Sequence, residues 1–181
     1  MLYRRSKTCG ASYFFTVNLA DRQSRLLLDY SETLRDAFRQ VKKRHPFHID
    51  AVVILPDHLH TIWTLPDGDS DYPMRWGLIK AGFSRNIEMN EPRSKSRKLK
   101  RERGIWQRRY WEHQIKDETD YNHHVDYIHI NPVKHGYVAQ ASMWDYSSIH
   151  RYIEMGMVDE SWAYKIDDLE MSDFGEREYM A

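Results

Sequence analysis

Phe47 to Leu65 reads FHIDAVVILPDHLHTIWTL, two apolar, β-branched runs on either side of Pro56-Asp57. Phe47 to Leu55 has the composition of one strand and His58 to Leu65 that of another. Proline followed by aspartate is turn chemistry. A connection this short makes the two strands an antiparallel pair, because a parallel return needs a long crossover.

Upstream, Ser12 to Leu19 (SYFFTVNL) is rich in aromatic and β-branched residues and predicts a further strand. From about Ser24 to Arg44, Leu27, Leu28, Leu34, Phe38 and Val41 recur mostly at helical spacing with charges between them, and Pro46 follows. Downstream, Trp76, Ile79, Phe83 and Ile87 place a helix over Tyr72 to Met89. Trp111 to Lys116 predicts a short strand, and a helix is expected from Asp117 to Ile130, stopped by Pro132, since a residue before proline is pushed out of the α region. Gly136 and Trp144 to Tyr152 complete the core. The order β-α-β-β-α-β-α, with no repeat and no linker, predicts an α+β fold: a ferredoxin-like antiparallel sheet with helices packed on it.

The chain has 181 residues, 41% apolar and 30% charged, which suits one soluble domain. Its longest wholly apolar run, Ala51 to Leu55, is far below the roughly 20 residues of a membrane helix. Arg4, Arg5 and Lys7 are followed only by the short Tyr13-Phe14-Phe15 patch where a signal peptide needs an apolar stretch. The single cysteine, Cys9, excludes an internal disulfide and a cysteine zinc cluster and fits a reducing cytoplasm. The formal net charge is zero but unevenly placed: Val158 to Ala181 carries −6 and residues 1–157 therefore +6. The division expected is a domain over 1–157 and an acidic tail over 158–181, the basic body suiting a polyanion and the tail able to compete for the same surface.

Two motifs carry chemistry. Side chains alternate along a strand, so His58 and His60 of PDHLH project from one face, roughly 6–7 Å apart along the backbone. Such a pair can share a metal ion; equally, each ring can be satisfied by a local hydrogen bond. In DYNHHVDYIHINPVKHG (Asp120 to Gly136), Tyr127 and Asn131 stack on one helix face with His123 a turn earlier. That stripe reads either as a nucleophile beside a ligand or as ordinary packing.

Together the motifs resemble the HUH superfamily of single-stranded DNA nucleases, in which histidine-hydrophobic-histidine on a strand faces a tyrosine on a helix. More narrowly, the chain is similar to the REP-associated tyrosine transposases, a group of single-tyrosine transposases linked to bacterial repetitive extragenic palindromes. The matching pieces are Phe14 to Leu19, Leu55 to His60, Trp106-Gln107, Tyr110 to His113 and His123 to Gly136. The resemblance spans roughly residues 3–155.

It implies an HUH nuclease fold, Tyr127 as nucleophile, and His58 and His60 as metal ligands. Asn131 stands where many single-tyrosine transposases carry glutamine. It further implies hairpin-forming palindromic DNA as partner and a monomeric state. The donor set of two imidazoles and a carbonyl oxygen suits Mg²⁺ or Mn²⁺. The expected activity is metal-dependent cutting and rejoining of single-stranded DNA through a 5′-phosphotyrosine.

The stretch 91–105, EPRSKSRKLKRERGI, has no apolar period. Its Arg93, Lys95, Arg97, Lys98, Lys100, Arg101 and Arg103, with Arg108 and Arg109 among Trp106, Tyr110 and Trp111, are read as tracking the DNA backbone and stacking bases, and Arg4 and Arg5 as adding to it. Two other functions are compatible with the sequence. In a metal-dependent hydrolase, water attacks instead of Tyr127 and a carboxylate ligand lies near the histidines; adjacent Asp57 is expected to point to the opposite face. A non-cleaving hairpin-binding protein would grip DNA without using Tyr127.

Overall fold

The computed structural model describes residues 8–88, 94–100 and 102–162. Arg4, Arg5, Lys7, Arg93, Arg101 and the acidic tail beyond Trp162 lie outside them. Four strands, β1 (Ser12–Asn18), β2 (His48–Ile54), β3 (His58–Thr64) and β4 (Trp111–Gln114), form one sheet in the order β2-β3-β1-β4. Every described pairing is antiparallel, as the hairpin requires. This is the expected ferredoxin-like α+β arrangement.

Strand alternation sorts the residues into two layers. Tyr13, Phe15, Val17, Leu59 and Trp63 face α2 (Ser31–Arg44) and α3 (Tyr72–Arg85), building the larger core with Leu34, Trp76, Ile79 and Phe83. On the other side Phe14, Ala51, Val53 and Ile62 meet Val125, Tyr127 and Ile128 of α5, Glu118–Lys134. The expected helix over 24–44 is two pieces, α1 (Leu26–Asp29) and α2, divided at Tyr30. Within the basic stretch a short α4 covers Lys95–Leu99. The outer edge of β2 is covered by the segment before α6 (Ile149–Glu154): Ile54 N donates to Tyr146 O at 2.9 Å and Ser148 N to Val52 O at 2.8 Å.

One expectation fails in a way that matters. Helix α5 does not stop before Pro132 but passes through it to Lys134. Proline removes one N–H from the ladder, a cost that a helix buried on the sheet from His124 to Pro132 absorbs through packing. The real stop is Gly136, whose φ of +71° is open to glycine. Tyr137 N donates to Pro132 O and Gly136 N to Val133 O, both at 2.9 Å. This is a Schellman ending, which satisfies the last carbonyls of the helix.

Candidate active site

His58 and His60 both lie on the α5 side of β3, buried to 1% exposure or less, with ring centroids 5.0 Å apart. The cross-strand register aligns Asn18 with His58 and Thr16 with His60. Thr16 Oγ1 sits 2.8 Å from His60 Nδ1, and Asp57 Oδ1 accepts a 2.8 Å bond from His58 Nδ1. With Nδ1 engaged in each ring, a metal bound by this pair would be met by Nε2, the usual way an outer partner fixes a ligand's orientation. Burial pushes the Asp57 carboxyl upward, but the His58 bond and the His58 and Arg22 charges outweigh it and hold Asp57 below the ordinary value. Arg22 Nε approaches the other carboxylate oxygen at 2.7 Å. Asp57 is therefore not turned away from the histidines as the strand period suggested; it precedes the strand, where alternation does not bind it.

Helix α5 lies over this pair. The Tyr127 ring is 5.2 Å from that of His60 and 6.1 Å from Phe14, and the His135 ring is 5.4 Å from that of His58. Residues 127, 131 and 135 are successive turns of one face. Asn131, fully buried, thus lies between the two contacts, on the stripe that runs from His60 to His58. Two imidazole nitrogens and an amide oxygen make a donor set that a borderline or hard divalent ion accepts. Lys134 completes the face: its Nζ donates to the Tyr127 hydroxyl at 3.2 Å.

A family model described as Transposase IS200 like matches residues 8–131. A REP-associated tyrosine transposase of Escherichia coli is 45% identical over 166 residues, covering 92% of this chain and 93% of that one. The chain belongs to the REP-associated tyrosine transposases, within the IS200-like family. A Haemophilus influenzae relative is 44% identical over 161 residues, 88% of this chain and 92% of its own length. A solved REP-associated tyrosine transposase bound to a REP hairpin has a TM-score of 0.83 and 44% identity, covering 98% of each chain.

His123, read a turn before Tyr127, is not the histidine packed on the sheet. His124, not His123, is buried against the sheet, its ring 4.7 Å from Phe14. His124 belongs to a neighbouring cluster in which Asp120 Oδ2 is 2.8 Å from His113 Nε2 and Asp120 Oδ1 is 3.1 Å from His124 Nδ1. The cluster ties β4 to the first turns of α5. Glu112 faces the opposite layer, where Tyr72 donates to it at 3.3 Å.

The basic stretch divides by role. Lys95, Lys98, Lys100 and Arg109 are exposed, and Arg97 lines a cleft of about 550 Å³ with Leu19, Tyr30 and Ile105. Arg103 instead donates to the carbonyls of Ile87 (3.1 Å) and Glu88 (2.7 Å) and to that of Ser84, closing the end of α3. Arg108 pairs with Glu102 at 2.8 Å. Trp106 and Tyr110 are core residues, 8% and 6% exposed, so neither is a base-stacking platform; the sequence pattern does not separate a surface aromatic from a buried one. The segment they occupy reaches the His58 end of the sheet, where Gln107 N donates to Asn18 O at 3.0 Å. Among the described residues no helix is long and apolar enough to cross a membrane.

Sequence reasoning missed Thr16, Arg22, Lys134 and His135 at the site and misplaced Asp57. Lys134 and His135 had a readable signal, seven residues beyond Tyr127 and four beyond Asn131. That signal was hidden by ending the helix at proline.

Proposed function

We propose that this transposase cuts and rejoins single-stranded DNA at palindromic hairpins, with Tyr127 as nucleophile and a Mg²⁺ or Mn²⁺ ion on His58, His60 and Asn131. The observation that carries this reading is the seating of the Tyr127–Asn131–His135 face on the histidine pair, with Tyr127 and His60 ring centroids 5.2 Å apart. The relative solved on a REP hairpin supports the class of DNA.

The Tyr127 oxygen adds to phosphorus as the bond to the 3′-oxygen breaks, giving a 5′-phosphotyrosine and a free 3′-hydroxyl. A phenol with an ordinary pKa of about 10 attacks poorly unaided. An ion held by these ligands supplies Lewis-acid polarisation of the phosphate and its alignment for in-line attack. Thr16 and Asp57 fix the two imidazoles before DNA arrives, so no ligand has to be reoriented during the reaction. Because the covalent link keeps the phosphoester, rejoining needs no ATP. Lys95, Arg97, Lys98, Lys100 and Arg109 contact the DNA backbone.

Asp57 argues against the water-attack alternative, since the carboxylate nearest in sequence to the histidines is turned to His58 Nδ1 and Arg22 rather than acting as a ligand. The deciding experiment is a denaturing gel of the protein with a labelled single-stranded hairpin. The parent forms a DNA-linked band that EDTA prevents; Tyr127→Phe binds the hairpin and forms none. Clean cutting without a linked band in the parent would establish hydrolysis by water. Cutting that persists in EDTA would remove the metal assignment.

A further inference from the structure

Lys134 reaches the nucleophile from two turns away. Its Nζ is 3.2 Å from the Tyr127 hydroxyl oxygen and 4.7 Å from the ring centroid, so the ammonium sits over the phenol and on its oxygen side. Tyr127 is 3% exposed while Lys134 is half-buried, which puts the positive charge between the buried phenol and solvent. The contact exists because α5 continues through Pro132 and ends at Gly136. Lys134 lies in the last turn of the helix, where the carbonyl ends of the peptide dipoles favour a cation.

Taking Tyr127 as the nucleophile, we propose that Lys134 is a second catalytic residue: its ammonium aims the Tyr127 oxygen and balances the negative charge that oxygen holds as it enters and leaves phosphorus. In the forward step the phenolic proton passes to solvent water, the tyrosine oxygen bonds phosphorus, and the departing 3′-oxygen takes a proton from solvent. In the reverse step a 3′-hydroxyl gives its proton to solvent and bonds phosphorus as the bond from phosphorus to the Tyr127 oxygen breaks, and Lys134 stabilises the departing phenolate until it takes a proton from solvent. One cation thus serves both directions, as microscopic reversibility demands. A fixed donor aimed at a reacting oxygen stabilises its charge without having to reorganise during the step.

The test uses the full chain and its Lys134→Met and Lys134→Arg variants. Single-turnover cutting of a labelled single-stranded hairpin is measured at saturating protein, alongside hairpin affinity by fluorescence anisotropy and a melting curve. Lys134→Met is expected to cut about 10²–10³-fold more slowly, the loss typical of one such donor, with hairpin affinity unchanged. Rejoining from the isolated covalent complex falls by the same factor. Lys134→Arg, which keeps the charge, recovers part of both rates. Weakened affinity with an unchanged rate at saturation would overturn the proposal and make Lys134 a phosphate anchor. A rate loss that only follows the unfolded fraction would make it structural. A Tyr127→Phe variant that still forms the DNA-linked band removes the nucleophile assignment itself. A dead Tyr127→Phe beside a fully active Lys134→Met defeats only the role of Lys134.

Discussion

The two faces of the sheet are made by the same strands and do opposite things. Toward α2 and α3, Trp63 stacks on Trp76 at 4.2 Å and meets Phe47 at 4.3 Å and Phe15 at 5.0 Å. Toward α5 the alternate residues Thr16, Asn18, His58 and His60 are buried just as completely but are polar. Burying such groups costs free energy unless each is matched by a partner. Here the matches are local and specific: Thr16 to His60, Asp57 to His58, Arg22 to Asn18 and Asp57. One face supplies the cohesion that lets the other hold histidines and a tyrosine in a fixed, dehydrated array.

Emptying the packing face costs the most stability. Trp63→Ala is expected to cost about 3–5 kcal/mol in urea unfolding, while the protein that remains folded still forms the covalent DNA band. If the cost stayed below about 1 kcal/mol, well under that range, the division of labour would be wrong. A change on the chemical face should do the reverse. Asp57→Asn keeps an acceptor but loses the charge that Arg22 faces, so it is expected to lower the melting temperature less than Trp63→Ala does and to weaken Mn²⁺ binding about 10–100-fold, measured by calorimetry. Equal affinity in parent and variant would mean that Asp57 does not orient a ligand.

The period-2 pattern of the strands and the i, i+4 pattern of the helix were enough to pair β2 with β3, to put His58 and His60 on one side, and to align Tyr127 with Asn131. These are local regularities, and local regularities survive in sequence. Asp57 was misread because it stands in the turn, where neither period applies. Trp106 and Tyr110 were misread because their burial depends on α3 folding over them. Pro132 is the sharpest case: proline is a stop signal in an isolated helix, and tertiary packing overrode it.

Acidity sharpens the contrast further. Burial, outweighing the bond to the Asp120 carbonyl, pushes the His124 imidazole below its ordinary 6.5. The folded chain therefore keeps it neutral where the unfolded chain takes up a proton, so stability is full above pH 6.5 and declines as pH falls below it. Asp120, held low by His113 and the Lys116 N–H against the opposing effect of burial, adds its loss only below its ordinary 3.8. His124→Gln should give a shallower decline of unfolding free energy from pH 6.5 downward; an unchanged slope would assign the acid sensitivity elsewhere. The smallest effect is expected outside both faces. Lys98→Ala should weaken hairpin binding modestly and lower the salt-dependence slope by about 1, without altering the rate at saturating protein.

Tyr127, Asn131, Lys134 and His135 are phased by a single uninterrupted helix, and each residue along it turns by about 100°. One residue inserted between Tyr127 and Asn131 would swing everything after it a quarter-turn around the axis, taking Asn131 and His135 off the histidines together. The same insertion beside Lys98, in the short exposed helix α4, would leave the phase of that stripe untouched. Between Tyr127 and Gly136 the shared face is kept only while the number of residues is kept.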